Sequence, residues 1–330
     1  MSKVRFGILS TARIARTTLI PAMERAYNVE VVAIASESGK AEDATKELGI
    51  PKHYDSYTAL LKDPDIDAVY IPLPNQLHKK WAIEAARYGK HVLCEKPAAL
   101  TSQDVEEIAA VFVEHNVIFM EAFMYQFHPQ HNRVKEIVAS GEIGELTLIR
   151  STFSFPHDMN PNDIRLNREL GGGVIYDVGC YCIHTSRMIA GEEPVAVTAA
   201  ARIHPTHDVD MTAAGVLTFE SGVMAAFDCS FEQLFKEKYE VVGTKGSILV
   251  KRAYRPDKHG GNGVIEVETE TGQREEVIQG DQYKLQVEHF ADCVLTNSQP
   301  IYSEEETIKN MRVIEQLLED VRSKHEDSGN

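Results

Sequence analysis

Cysteine is scarce in this chain and poorly placed for cross-linking. Cys94, Cys180, Cys182, Cys229 and Cys293 make an odd count with no CxxC pair. That argues against a zinc site or a disulfide framework and predicts reduced thiols in a cytoplasmic protein. No other cluster has metal-ligand spacing either, so no metal is expected. Long apolar runs are missing too: nothing reaches the roughly 18 residues of a membrane-spanning helix. Residues 1–5 pass straight into a strand-like segment without the apolar stretch of a secretory signal. Positive charge is also short, with 34 Lys and Arg against 50 Asp and Glu, for a net charge of −16. Such a chain repels phosphate backbones and anionic lipid, so neither nucleic acid nor a membrane is an expected partner. Its few cations matter most where an anionic small molecule must bind.

What is present reads as two rhythms. Residues 4–10 form an apolar strand, and the helix after it carries Ile14, Leu19, Ala22 and Met23 on one side. A second strand spans 29–35, and a helix over 40–48 is closed by Gly49 and Pro51. A third strand, 68–71, leads to a helix that Asn75 caps, ending near residue 88. A fourth strand spans 91–94, a Thr101-capped helix runs to 115, and a fifth strand covers 117–121. This alternation predicts a parallel sheet with right-handed crossovers. After residue 122 the pattern changes. A short helix, 131–140, precedes a strand over 146–155, and another helix starts at Gly171, Gly172 and Gly173. Strands and turns over 195–277 read as an antiparallel meander, and two helices, 284–296 and 304–324, close the chain.

Glycine is absent where it would say most. A dinucleotide-binding turn uses a G-x-G-x-x-G register, so that backbone N–H groups at a helix start can approach the pyrophosphate. Here Ser10, Ala12 and Ala15 occupy the three glycine places, with Thr11, Arg13 and Ile14 between them. The turn's position at the head of the alternating strands and helices carries the reading. Arg13 adds positive charge near the phosphates or forms a surface ion pair. At the end of the second strand Ser36 and Lys40 suit a 2′-phosphate, whereas Glu37 suits a ribose diol; the balance falls to NADP over NAD. Glu95, Lys96 and Pro97 follow the fourth strand, which puts a lysine at the carboxyl edge of the sheet, where such folds place ligands. Asp177 and Tyr181 are four residues apart and share a helix face.

Four segments together resemble the Gfo/Idh/MocA oxidoreductase family: FGILSTARIA at 6–15, YIPLPNQLHKKWAIEAARYGKHVLCEKP at 70–97, MEAFMYQFHP at 120–129 and DIRLNRELGGGVIYDVGCYCIHTSR at 163–187. MEAFM with FHP, and a tyrosine closing the glycine motif, are most similar to the subgroup of glucose–fructose oxidoreductase, dimeric dihydrodiol dehydrogenase and NADP-type D-xylose dehydrogenases. The resemblance implies an α/β fold. A Rossmann doubly wound parallel sheet (1–122) precedes an α+β domain (123–330) with a large, mostly antiparallel open sheet, which often pairs copies into homodimers or homotetramers. It implies that Lys96, Asp177 and Tyr181 surround the nicotinamide and that Pro72, Leu73, Asn75, His78 and Glu95 border the cofactor. For the substrate the candidates are Phe123, Phe155, Arg165 and His184, with Phe153 and Tyr176 as further rings. Arg165 also suits loop anchoring, and His184 a packed core.

The expected reaction is hydride exchange between a sugar or cyclic polyol carbinol and the nicotinamide. Tyr181 serves as general acid/base, Lys96 favours its phenolate, and Asp177 orients the hydroxyl or Lys96. A trans-dihydrodiol is the alternative substrate, and a cofactor-binding regulator without turnover is the alternative class. Retention of Lys96, Asp177 and Tyr181 favours an enzyme.

Overall fold

The computed structural model describes residues 2–328, which form two units. One comprises the chain through Phe127 with Gln282–Ile308, and the other comprises His128–Asp281 and the chain from Lys309 onward.

In the first unit six strands pair in parallel. They are β1 (Val4–Leu9), β2 (Val29–Ala35), β3 (Lys52–Tyr54), β4 (Ala68–Ile71), β5 (His91–Glu95) and β6 (Phe119–Ala122), in the order β3-β2-β1-β4-β5-β6. That is the doubly wound order of dinucleotide-binding sheets. The central strands read as unbroken apolar runs because helices cover both faces. β3 is additional to the five expected strands. Its three residues, Lys52, His53 and Tyr54, lie on the sheet edge, partly exposed, and carry no apolar pattern.

A π-helical stretch, Ala15–Leu19, runs into α1 (Ile20–Arg25). α2 (Ala41–Leu48), α3 (Tyr57–Leu61), α4 (Asn75–Arg87) and α5 (Ser102–His115) follow. The Thr101 hydroxyl accepts from Asp104 N–H, capping α5 as expected. Asn75 does not cap α4. It is the first helical residue, Pro74 holds the cap position, and no side chain closes that end.

Residues 282–308 were expected in the second domain but pack with the first, and the first unit runs to Phe127 rather than 122. On α8 (Gln282–Thr296), the Phe290 ring lies 5.7 Å from Phe6 of β1. The Glu288 carbonyl accepts from the Asn28 side-chain amide at 2.8 Å.

The second unit opens with α6 (Pro129–Ala139). Its sheet contains β7 (Leu146–Ser154), β8 (Pro194–Ile203), β9 (Asp210–Phe219), β10 (Met224–Ser230), β11 (Lys236–Gly243), β12 (Gly246–Val250), β13 (Asn262–Thr269) and β14 (Gly272–Gln279). They lie in the order β14-β13-β12-β11-β7-β10-β9-β8. Every pairing is antiparallel except β7 with β10, which interrupts the expected meander. α7 (Cys180–Ala190) packs against β7 and β10 on the sheet's inner face. The edges are protected in two ways. β14 carries the charged run Arg274, Glu275 and Glu276, and on β8 the Ala199 N–H donates to Asp320 while its carbonyl accepts from Lys324, both on α9 (Glu304–Ser328).

Candidate active site

Because the strands of the first unit are parallel, β1, β2, β4 and β5 deliver Ser10, Ser36, Pro72 and Lys96 to one edge of the sheet. The strand order reverses between β1 and β4, and ligands of such sheets sit in the crevice beyond that switch point. Ser10 has a φ of +130°, in the region glycine normally occupies. Holding a side chain there is worth roughly 1–3 kcal/mol of strain. The strain falls at the first glycine position of the motif, so the turn keeps its conformation without the residue that makes it easy. The Ser10 hydroxyl accepts from Ala12 N–H at 3.0 Å, closing the turn. Thr11, Ala12 and Ile14 are half-buried and Arg13 is exposed. This edge therefore fits a dinucleotide.

At the second strand's end Ser36 is buried. Its hydroxyl pairs with that of Ser38 at 2.9 Å, and Glu37 and Lys40 are exposed beside it. Pro72 and Leu73 are buried, and Asn75 is half-buried at the start of α4. Glu95 accepts from the Tyr70 hydroxyl, and burial together with that carboxylate keeps the phenol strongly protonated. Lys96 is half-buried at the end of β5.

His78 does not offer a ring nitrogen to a ligand. It is fully buried, with Nδ1 2.8 Å from the Pro97 carbonyl and Nε2 2.7 Å from the Leu73 carbonyl. Burial pushes its pKa down, with Lys96 adding to the effect. A neutral imidazole has one N–H and so donates to one of these carbonyls at a time. Phe123 is not placed to meet a substrate: it is 1% exposed and packs edge-on against Tyr125 and tilted against Tyr302, inside the first unit's core.

In the second unit the glycine run has a clear cause. A Cβ on Gly172 would come within 2.6 Å of the Arg165 and Asn167 carbonyl oxygens. Gly173, at φ +112°, would place one 2.1 Å from Asp210 Oδ1. Asp210 needs that space because Oδ2 accepts from Ile175 N–H at 2.7 Å, and Val174 N–H also donates to the carboxylate. It thereby caps the π-helical turn Ile175–Gly179 that leads into α7. Burial pushes the Asp210 carboxyl up to about 6 against these hydrogen bonds. The sequence reading missed this residue, whose signal was a carboxylate opening an otherwise uncharged strand.

Asp177 lies on the turn that Asp210 caps, and its Oδ2 accepts from Arg165 Nε at 2.7 Å. Asp163 accepts from Arg165 N–H and from its guanidinium, so Arg165 is held between two carboxylates. Asp177 is the main influence keeping that guanidinium charged. Arg165 thus acts as the partner of Asp177, the anchoring alternative. Its guanidinium also sits 6.0 Å above the half-buried Phe155 ring.

Tyr181 is 5% exposed, with ring centroids of Phe153 and Tyr254 each at 5.3 Å. Phe153 stacks on Tyr254 at 5.0 Å and so belongs to this packed group. His184 is buried one turn further along α7. Burial, together with Arg187, Lys135 and His131, pushes its pKa well down, as befits a packed core. Tyr176 points elsewhere, lining a cavity of about 250 Å³ with Arg168, Asp210 and Arg322. Among the described residues no cluster of His, Cys, Asp and Glu could hold a metal ion, and no helix is long and apolar enough to cross a membrane.

Comparison with known proteins agrees with the fold. Residues 4–123 match an oxidoreductase family with an NAD-binding Rossmann fold, and residues 131–249 match the GFO/IDH/MocA C-terminal domain. The chain is 40% identical over 321 residues to a D-xylose 1-dehydrogenase (NADP(+)) of Haloferax volcanii, covering 95% of this chain and 96% of that one. It is 34% identical over 253 residues to a trans-1,2-dihydrobenzene-1,2-diol dehydrogenase of Xenopus laevis, covering 74% of each. The crystal structure of a 3-ketoreductase from Actinomadura kijaniata with NADP and TDP-benzene matches with a TM-score of 0.90 at 31% identity, over 97% of this chain and 98% of that one. The chain belongs to the Gfo/Idh/MocA family of NAD(P)-dependent oxidoreductases.

Proposed function

We propose that this chain exchanges hydride with a carbinol of a sugar or cyclic polyol, using NADP in preference to NAD, with Lys96, Asp177 and Tyr181 as its catalytic residues. The observation that carries the reading is Lys96 at the carboxyl edge of β5, one strand from the β1–β4 switch point. Backbone and side chains of Ser10, Thr11, Ala12, Arg13 and Ile14 would hold the pyrophosphate. Ser36, Glu37 and Lys40 would meet the adenosine ribose, and Pro72, Leu73, Asn75 and Glu95 would line the nicotinamide end. A bound nicotinamide supplies the hydride acceptor or donor.

The protein's task is then the proton. Tyr181 takes it from the carbinol oxygen during oxidation and returns it during reduction. A tyrosine ordinarily keeps its proton to about pH 10, so a cation acting on the same oxygen is needed at neutral pH; Lys96 supplies it. Asp177, fixed by Arg165, orients the substrate hydroxyl, and Phe155 offers an apolar surface to the ring's C–H face.

Support for NADP comes from the buried Ser36 hydroxyl beside Ser38, from Lys40, and from relatives whose names carry that cofactor. We further propose a cytoplasmic homodimer or homotetramer. Support is the sheet face opposite α7, where Ala214, Ala226 and Leu249 line an open groove of about 480 Å³ together with Arg150, Asp228, Lys238 and Glu240, and where Val216 and Met224 are exposed. Light scattering tests the assembly. A panel of aldoses, inositols and trans-dihydrodiols, each with NAD and NADP, tests the reaction. The expected result is NADP-linked turnover of a sugar or polyol, and no turnover across the panel would refute it.

A further inference from the structure

Two buried side chains grip one peptide group beside Lys96, and neither takes part in the proton transfer above. The Pro97 carbonyl lies 2.8 Å from His78 Nδ1, and Ala98 N–H donates to Glu121 Oε1 at 2.8 Å. These are the two ends of the single peptide that joins Pro97 to Ala98, next in the chain after Lys96. His78 comes from the first turns of α4 and Glu121 from β6, the strand beside β5, so two neighbouring elements hold the turn. Glu121 is 3% exposed and stands on β6 among Phe119, Met120 and Ala122, all apolar.

A carboxyl is an expensive choice for such a place. Burying it without matched partners is unfavourable, and an apolar residue of similar size would pack the strand without that cost. What the carboxyl has that a leucine lacks is an acceptor for Ala98 N–H. Its other influences come from the returning segment of the same unit: the hydroxyls of Thr307 and Tyr302 favour its charged form, as does Lys96.

We propose that Glu121 is a positioning residue, fixing Lys96 by holding the Pro97–Ala98 peptide through the Ala98 N–H. The tautomer of His78 that carries its proton on Nδ1 steadies the other end of the same peptide. The proposal rests on the reading of Lys96 as the cation that acts on the reacting oxygen.

Two substitutions separate the hydrogen bond from mere packing. Glu121→Gln keeps an acceptor for Ala98 N–H, whereas Glu121→Leu removes it at similar volume. Hydrogen exchange of the peptide containing Ala98, measured without substrate, is expected to accelerate at least about tenfold in Glu121→Leu and to stay near wild type in Glu121→Gln. Turnover is expected to fall about tenfold or more in Glu121→Leu, with reduced-cofactor Kd changed far less, and to be largely restored in Glu121→Gln. Placed on Lys96→Ala, the Glu121→Leu change is expected to add no further loss, because its effect passes through Lys96. An equal additional loss in that background would mark a general structural role and overturn the proposal. Unchanged exchange at Ala98 would overturn it as well. Normal turnover in Lys96→Ala would instead refute the role of Lys96, and the exchange measurement would still show whether Glu121 holds the turn.

Discussion

Gly173→Ala should damage the second unit's segment that carries Asp177 and Tyr181 without touching either side chain. The added Cβ would lie 2.1 Å from Asp210 Oδ1 and 2.9 Å from its Cγ, so the carboxylate must leave its position. It then releases the N–H groups of Ile175 and Val174, and a lost N-terminal cap costs about 0.5–2 kcal/mol. Holding alanine at φ +112° adds about 1–3 kcal/mol. Together the two effects come to about 3 kcal/mol, and at about 2–4 °C per kcal/mol for a large domain the Tm should fall by roughly 6–12 °C. Asp177 lies on the capped turn and Tyr181 just beyond it, and a displacement near 1 Å is enough for about a 10²-fold loss in kcat. Gly191→Ala is the matched control. Gly191 ends α7 at φ +73° with nothing within 4 Å of a built Cβ, so it carries the conformational cost alone, about 1–2 kcal/mol, and should leave kcat intact. Calorimetry and steady-state turnover measure both effects. A Gly173→Ala protein with wild-type kcat, and a Tm no lower than that of Gly191→Ala, would refute the role given to Asp210.

Glu121→Gln should change how stability depends on pH. Burial raises this carboxyl from its ordinary 4.5 to about 7, so its contribution is fully present below about pH 4.5 and is lost as pH rises through 7. The variant should therefore gain Tm over wild type at pH 8 and not at pH 4.5; a difference independent of pH would contradict this. Arg165→Met leaves Asp177 without its guanidinium and should lower kcat about tenfold while changing reduced-cofactor Kd little, as stopped-flow and fluorescence titration would show. Ser36→Ala and Lys40→Ala should each weaken NADP binding about tenfold and NAD binding much less. Equal losses for both cofactors would show that these residues do not discriminate.

The parallel sheet was legible because its strands are buried on both faces and so appear as apolar runs such as the one over 29–35. β3 was not, since three polar, half-exposed residues carry no period. The parallel pairing of β7 with β10 was not legible, because alternation along a strand is the same whether its neighbour is parallel or antiparallel. Residues 282–308 showed a helical pattern, but amphipathicity does not name the partner, and that partner, β1, is almost the whole chain away. For the proposed site, Lys96, Asp177 and Tyr181 were singled out by the family resemblance, with their spacing in support. His78 and Phe123 were overread because their burial depends on distant segments. Glu121 and Asp210 escaped notice because the N–H groups they hold belong to residues 23 and 35 positions away, at Ala98 and Ile175.

The proposed reaction depends on proton handling by Tyr181 and Lys96. The most direct measurement is kcat of Tyr181→Phe and Lys96→Ala with NADP and the best sugar or polyol of the panel, alongside the Kd of the reduced cofactor. Each variant should lose at least about 10²-fold in kcat, with cofactor binding largely retained in Tyr181→Phe. Near-normal kcat in either variant would contradict the mechanism.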